Sequence, residues 1–77
     1  MEFVADEAII DQIIDWFGKE IRIVADGEDR YRVSVRVSPK AMEHWAMQYS
    51  NHMEIVSPGS FRERMKELTE TAAKKYR

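Results

Sequence analysis

The first apolar pattern along the chain is that of a short strand followed by a helix. Residues 2–5 form a short extended stretch, and Asp6 is placed to cap a helix that follows it. The apolar positions of that helix have the i, i+3, i+4, i+7 spacing of one buried stripe, with two flanking members. They are Ile10, Ile13, Ile14 and Phe17, flanked by Ile9 and Trp16. Gly18 stands where a left-handed helix end is expected, so the pattern predicts a helix over residues 6–17.

An alternation with period two then replaces the helical spacing. Ile21, Ile23 and Ala25 alternate with Glu20, Arg22 and Val24, and apolar and polar residues alternate without a break from Arg30 to Val37. This is the period of a strand with one buried face. Residues 26–29 read Asp-Gly-Glu-Asp, a turn by composition. Residues 20–37 are therefore predicted to form a β-hairpin.

Two Ser-Pro pairs open the remaining helices. Ser38-Pro39 offers a hydroxyl cap followed by a proline at the first helical position, and Ser57-Pro58 repeats the pair. Between them, residues 53–56 have the composition of a short strand. The two predicted helices carry the apolar stripes Met42, Trp45, Ala46, Tyr49 and Phe61, Met65, Leu68, Ala72, Tyr76. Trp45 is predicted to pack in the core. Trp16 lies at the edge of its helix and is the better candidate for partial exposure, although core packing is the favoured interpretation for it too.

The predicted order of elements is β-α-β-β-α-β-α. Two β-α-β halves around a central hairpin indicate an α+β fold, the ferredoxin-like split βαβ sandwich, with an additional C-terminal helix. We expect an antiparallel sheet with two helices on one face. The final helix would pack on a sheet edge, on the open face or on another protein.

Composition narrows the class of protein without identifying it. The chain has 77 residues, of which 44% are hydrophobic and 34% charged, and it contains no cysteine. These values indicate one small cytoplasmic domain without disulfides, and no apolar run approaches the roughly 20 residues of a membrane helix. Residues 1–29 carry a net charge of −7 and residues 30–77 carry +5. A pI near 5.6 argues against strong nonspecific binding to nucleic acid.

A series of short motifs resembles one bacterial family. Residues 13–21 read Ile-Ile-Asp-Trp-Phe-Gly-Lys-Glu-Ile, and residues 33–37 read Val-Ser-Val-Arg-Val. The series continues with Ala41, Trp45, Ala46, Gln48 and Tyr49, then Ile55-Val56-Ser57-Pro58, Phe61-Arg62 and Lys75-Tyr76. In this order the motifs resemble the C-terminal extension, or WCX domain, of WYL-domain transcriptional regulators.

The resemblance implies a ferredoxin-like module over residues 1–77, excised from a longer regulator. That regulator would also carry a DNA-binding winged helix-turn-helix and a WYL domain, both absent here. No Trp-Tyr-Leu tripeptide occurs in the chain, so residue roles of those two domains cannot be transferred to it. The effectors that the resemblance implies are single-stranded nucleic acid in some members and unidentified ligands in most.

The sequence gives little support to an enzymatic function. Ferredoxin-like acylphosphatases need a loop rich in backbone N–H groups, with an arginine, after the first strand. The corresponding segment here is Ala5-Asp6-Glu7, which is acidic and would repel phosphate. His44 and His52 are the only histidines, and no further ligands stand at metal spacing around them. We therefore expect no catalytic activity, no metal and no cofactor.

The most informative polar set lies on the predicted hairpin. Strand alternation directs four side chains away from the helices, toward the open face of the sheet: Arg22, Arg32, Ser34 and Arg36. Guanidinium groups placed together can bind phosphates or carboxylates bidentately. The alternatives are a solvated face paired with Glu20 and Glu54, or a surface docked against the WYL domain or the final helix.

The functional hypothesis is a regulatory and interaction module that senses an effector, or relays its binding, without reading operator DNA. Its expected partners are the WYL and winged-helix domains, with a homodimer and a single-stranded nucleic acid or small anionic effector as further candidates, and no membrane. The alternatives are a stand-alone ferredoxin-like module that binds small ligands and an acylphosphatase-like hydrolase.

Overall fold

Strands and helices occur in the order that the pattern predicts. The computed structural model describes residues 1–18 and 20–77. Lys19, part of the motif over residues 13–21, lies outside them. The strands are β1 (Glu2–Asp6), β2 (Ile21–Ala25), β3 (Arg30–Val35) and β4 (Met53–Ser57). The helices are α1 (Ile10–Phe17), α2 (Pro39–Gln48) and α3 (Gly59–Lys74), and a 3-10 turn (Glu7–Ile9) precedes α1.

The four strands of the described residues form one antiparallel sheet in the order β2-β3-β1-β4. Phe3 lies opposite Val33 on one side and Ile55 on the other, and Val33 in turn lies opposite Ile23. One apolar row therefore crosses the whole sheet. The fold is α+β.

The core lies between the sheet and the three helices. Phe3 and Val33 of the sheet are fully buried together with Ile13 of α1 and Met42 of α2, and Met65 of α3 belongs to the same cluster. Because all three helices contribute to one cluster with one side of the sheet, they cover that side and the opposite side stays open. The longest helix, α3, packs against β4 and α2. None of the helices in the described part of the chain is both long and apolar enough to cross a bilayer.

Local signals in the sequence account for three helix ends. The carboxylate of Asp6 accepts the N–H of Ala8 at 3.0 Å, and the hydroxyl of Ser38 accepts the N–H of Ala41 at 3.2 Å. These bonds satisfy backbone donors that the first helical turn leaves without a partner. Gly18 has a φ of 68°, and its N–H donates to the carbonyl of Ile14 at 2.9 Å. The predicted caps at Asp6 and Ser38 and the predicted end at Gly18 are confirmed.

Three predicted boundaries are wrong. The helix predicted over residues 6–17 is a 3-10 turn followed by α1. The strand predicted to reach Val37 ends at Val35, which lies opposite Ile21, the first residue of β2, so the pairing of the two strands ends there. Ser57 belongs to β4 and does not cap α3, because Pro58 occupies the capping position and the helix begins at Gly59. The hydroxyl of Ser57 thus lies one residue before the capping position of α3.

Burial also departs from the predicted stripes. Trp45 is 3% exposed, as predicted, but Trp16 is 64% exposed, so its predicted core packing is wrong. Ile14 is 48% exposed and Tyr76 93% exposed, although each occupies a stripe position. Only Ile13 of α1 is buried, because an eight-residue helix lying on a sheet covers one narrow line of contacts. Tyr76 lies beyond the part of the final helix that reaches the core.

Candidate functional site

The open face of the sheet is organised in rungs that follow the strand register. Arg22 of β2 lies opposite Ser34 of β3, which lies opposite Glu2 of β1. Val33 and Val35 belong to the core cluster on the other side. Because side chains alternate across a strand, Ser34 and its rung neighbours face away from the helices.

The next rung contains Arg32, which is paired with carboxylates. Arg32 donates to the carboxylate of Glu2, and Asp26 lies 3.9 Å from its second terminal nitrogen. The hydrogen bond and the negative charge of Glu2 raise the pKa of Arg32 above its ordinary value. These partners differ from the predicted Glu20 and Glu54. Arg32 therefore has less capacity for an external anion than the sequence pattern suggested.

The other three predicted site residues meet at one end of this face. Arg22, Ser34 and Arg36 line a shallow depression of about 500 Å³ together with Glu2 and Glu20. Both arginines are exposed, and among the described residues no carboxylate lies within 4.0 Å of either guanidinium. Arg36 follows the end of β3, so its position depends on the backbone just beyond the strand. The depression offers two guanidinium groups and one hydroxyl, with two carboxylates at its margin.

A second groove, of about 410 Å³, runs between β4 and α3. Met53 and Ile55 line one wall, Met65 and Thr69 the other, and Arg62 lies across it. Arg62 donates to the carbonyl of Ile55 at 2.6 Å and to the carboxylate of Glu54 at 2.8 Å.

Sequence reasoning missed this role of Arg62. In the sequence, Arg62 stands out only as part of the motif Phe61-Arg62. No local signal marks it, because the contact depends on how α3 packs against β4.

The turn after β1 presents acidic groups. One carboxylate oxygen of Asp6 accepts the N–H of Ala8, and the other lies 3.0 Å from Nδ1 of His52. The Asp6 carboxylate thus accepts the hydrogen bond from the N–H of Ala8, which an anion bound at this turn would otherwise accept.

Comparison with known proteins gives one finding. The family model described as the WCX domain matches residues 2–73. No curated protein and no solved structure matches the chain significantly. The match confirms the resemblance carried by the short motifs and extends over nearly the whole chain, so the chain belongs to the WCX domain family.

Proposed function

We propose that this WCX domain is the C-terminal regulatory and interaction module of a WYL-type bacterial transcriptional regulator in the cytoplasm. The family match over residues 2–73 supports this assignment. In the parent chain the domain would contact the WYL domain, contribute to effector sensing and leave the reading of operator DNA to a winged helix-turn-helix. The absence of cysteine is in keeping with a reducing compartment.

We further propose that the fold is the ferredoxin-like split βαβ sandwich. The support is the strand order, in which β3 lies between β1 and β2, and β1 lies between β3 and β4. Each β-α-β unit therefore has a strand of the other unit inserted between its own two strands, as the name of the motif describes. The third helix, α3, is the addition to that pattern.

The observation that carries the proposal of effector binding is the pair of exposed arginines, Arg22 and Arg36, at the depression that also contains Ser34. Guanidinium groups that are not engaged in ion pairs can bind phosphate or carboxylate oxygens through charge-assisted hydrogen bonds. The hydroxyl of Ser34 can add one more donor. The effector class is therefore anionic, with single-stranded nucleic acid as the first candidate.

The mechanism is a shift in population between arrangements of the parent domains. An effector held by the arginines of this domain and by a neighbouring domain at once would favour the arrangement that brings the two closest. Its influence on the DNA-binding domain can be no larger than its difference in affinity for the two arrangements.

Two alternatives have weaker support. A stand-alone ligand-binding module would use the groove between β4 and α3, which has apolar walls but is crossed by Arg62. An acylphosphatase-like hydrolase would need the turn after β1 to bind phosphate. The carboxylate of Asp6 at the N–H of Ala8 argues against that, and we propose that the domain is not an enzyme.

The test is an NMR titration of the ¹⁵N-labelled chain with a short single-stranded oligonucleotide, at low and then moderate salt. We expect saturable amide shifts at Arg22 and over residues 34–36. The double variant R22A/R36A should bind about 10²–10⁴-fold more weakly, since charge-assisted hydrogen bonds contribute about 1.5–3 kcal/mol each.

The matched control is Arg30→Ala, which removes an exposed arginine from the opposite end of β3. It should leave the affinity within about twofold, apart from the weak general effect of losing one charge. Equal weakening by all arginine variants would indicate nonspecific attraction and contradict the assigned site. Absence of shifts would leave this domain a docking module only.

A further inference from the structure

The groove between β4 and α3 has apolar walls. Ala46, Ile55 and Met65 line it and are buried, and Met53 lines it and is half-buried. The hydroxyl of Thr69 bonds back to carbonyls of its own helix at 2.9 Å and 3.0 Å, so this side chain leaves its methyl group for the groove. The volume of about 410 Å³ lies within the range of small-molecule sites, roughly 300–1,000 Å³. The walls therefore suit a small apolar ligand.

Arg62, which crosses this groove, is fixed through one of its two terminal nitrogens. Nη1 donates to the carbonyl of Ile55 at 2.6 Å and to the carboxylate of Glu54 at 2.8 Å. These two bonds use both hydrogens of Nη1. Among residues 1–18 and 20–77, Arg62 makes no other hydrogen bond. The Nε and Nη2 donors on the other edge of the guanidinium remain available, and this edge matches the two oxygens of a carboxylate.

Arg64, two residues further along α3, shows the same guanidinium edge in use. Its Nε and Nη2 donate to the two carboxylate oxygens of Glu43 at 3.4 Å and 3.3 Å. A carboxylate of α2 thus fills the paired donors of Arg64, whereas those of Arg62, at the groove, are not filled by any described residue. Lys66 lies one helical turn after Arg62 and also lines the groove. It adds a second positive charge beside the open pair of donors.

We propose that this groove binds a small monocarboxylate with an apolar chain, the chemistry of a medium-chain fatty acid. The carboxylate accepts from Nε and Nη2 of Arg62 and lies near the ammonium group of Lys66. The chain runs along α3 toward Thr69, seven residues and about 10 Å from Arg62. On the way it contacts Met53 and Met65, whose flexible thioethers adapt to irregular apolar ligands.

Two carboxylates that line the groove limit the charge of its ligand. Glu54 is bonded to Nη1 of Arg62 and helps to hold the guanidinium across the groove. Glu63 also lines the groove, and no cation among the described residues lies within 4.0 Å of its carboxylate. The second negative charge of a phosphate or a dicarboxylate would be repelled there. A monocarboxylate places its single charge at Arg62 and avoids that cost.

The experiment is an NMR titration of the chain, with its methionine methyl groups ¹³C-labelled, against octanoate at neutral pH and below its micelle concentration. Of the five methionines, Met53 and Met65 line the groove. Their methyl signals should shift and saturate, and those of Met1, Met42 and Met47 should change little. No saturable shift at the two groove methionines, or equal shifts at all five, would overturn the proposal. The groove shares no residue with the arginine depression, so the result is independent of effector binding there.

Changes to the ligand and to the arginine test the role of the charge. Octanol lacks the charge and octylammonium reverses it, so each should bind about tenfold more weakly than octanoate, or weaker still. Arg62→Lys keeps a positive charge but loses the paired donors, and it should weaken octanoate binding about tenfold.

The matched control is Arg64→Lys, the same change at an arginine that does not line the groove. It should leave the affinity for octanoate within about twofold. Thermal unfolding of both variants confirms that they are folded. Equal affinity for octanoate and octanol, or equal weakening by the two variants, would refute the assignment of the carboxylate to Arg62.

Discussion

The two tryptophans provide a matched test of the packing, because the same substitution is expected to have very different costs. Trp45 is 3% exposed and Trp16 is 64% exposed. The ring of Trp45 lies 4.7 Å from that of Tyr49, 5.1 Å from Phe17 and 6.1 Å from Phe3. These separations fall within the range in which aromatic pairs stabilise each other beyond simple area burial.

The magnitude follows from that environment. Trp45→Ala removes the ring at the centre of the aromatic cluster and should lower the free energy of unfolding by about 3–5 kcal/mol. A 77-residue domain is stable by roughly 4–12 kcal/mol in total, so this variant loses a large fraction of its stability. Trp16→Ala removes a side chain that is mostly in water and should change stability by about 0.5 kcal/mol or less.

The assay is urea denaturation followed by far-UV circular dichroism, which does not depend on either tryptophan. The midpoint for Trp45→Ala should fall by about 2–4 M relative to the parent chain, to the point of unfolding in buffer if the parent is marginal. Each variant keeps one tryptophan, so fluorescence gives a second readout. Emission should be blue-shifted when Trp45 remains and red-shifted when Trp16 remains. Equal destabilisation by the two substitutions would refute the burial assigned to both residues.

Two further matched pairs test the backbone. Ser38→Ala should cost about 1 kcal/mol in urea denaturation because it removes a helix cap, whereas Ser57→Ala should cost clearly less, and equal losses would show that both hydroxyls cap. Gly18→Ala should destabilise by about 1–3 kcal/mol, since alanine is strained at a φ of 68°. Gly59→Ala, in the first turn of α3 with nothing within 4 Å of the new methyl group, should stabilise by about 0.4–1 kcal/mol. A gain at position 18 would contradict the assigned φ.

Much of the fold could be predicted because its signals are local. Alternation located β3, and capping residues located the start of the 3-10 turn before α1 and the start of α2. The exposure of Ile14 could not be predicted in this way, and the edge position of Trp16 indicated partial exposure but not how much of the side chain is exposed. Periodicity identifies an apolar stripe, but the width of stripe that a neighbour covers depends on packing. The end of β3 at Val35 likewise depends on where β2 begins opposite it.

The residues of the candidate site also separate into those that a local pattern could place and those that depend on tertiary contacts. Alternation was sufficient to direct Arg22 and Ser34 to the same face, because it needs no knowledge of the sheet order. The pairing of Arg32 with Glu2 depends on β1 lying beside β3, a contact between residues 30 positions apart. No local pattern contains that information.

Packing along α3 is uneven, and this gives the domain a gradient of local stability. Phe61 and Met65 are buried, but from Leu68 onward no residue of the helix is fully buried, and only Leu68, Thr69 and Ala72 are partly buried. The distal half is shorter than the 12–15 residues below which an isolated helix is marginal in water. Amide hydrogens near Met65 should therefore exchange with solvent only on global unfolding, and those beyond Ala72 through local fraying. Any partner that orders this distal half would slow its exchange without altering the core.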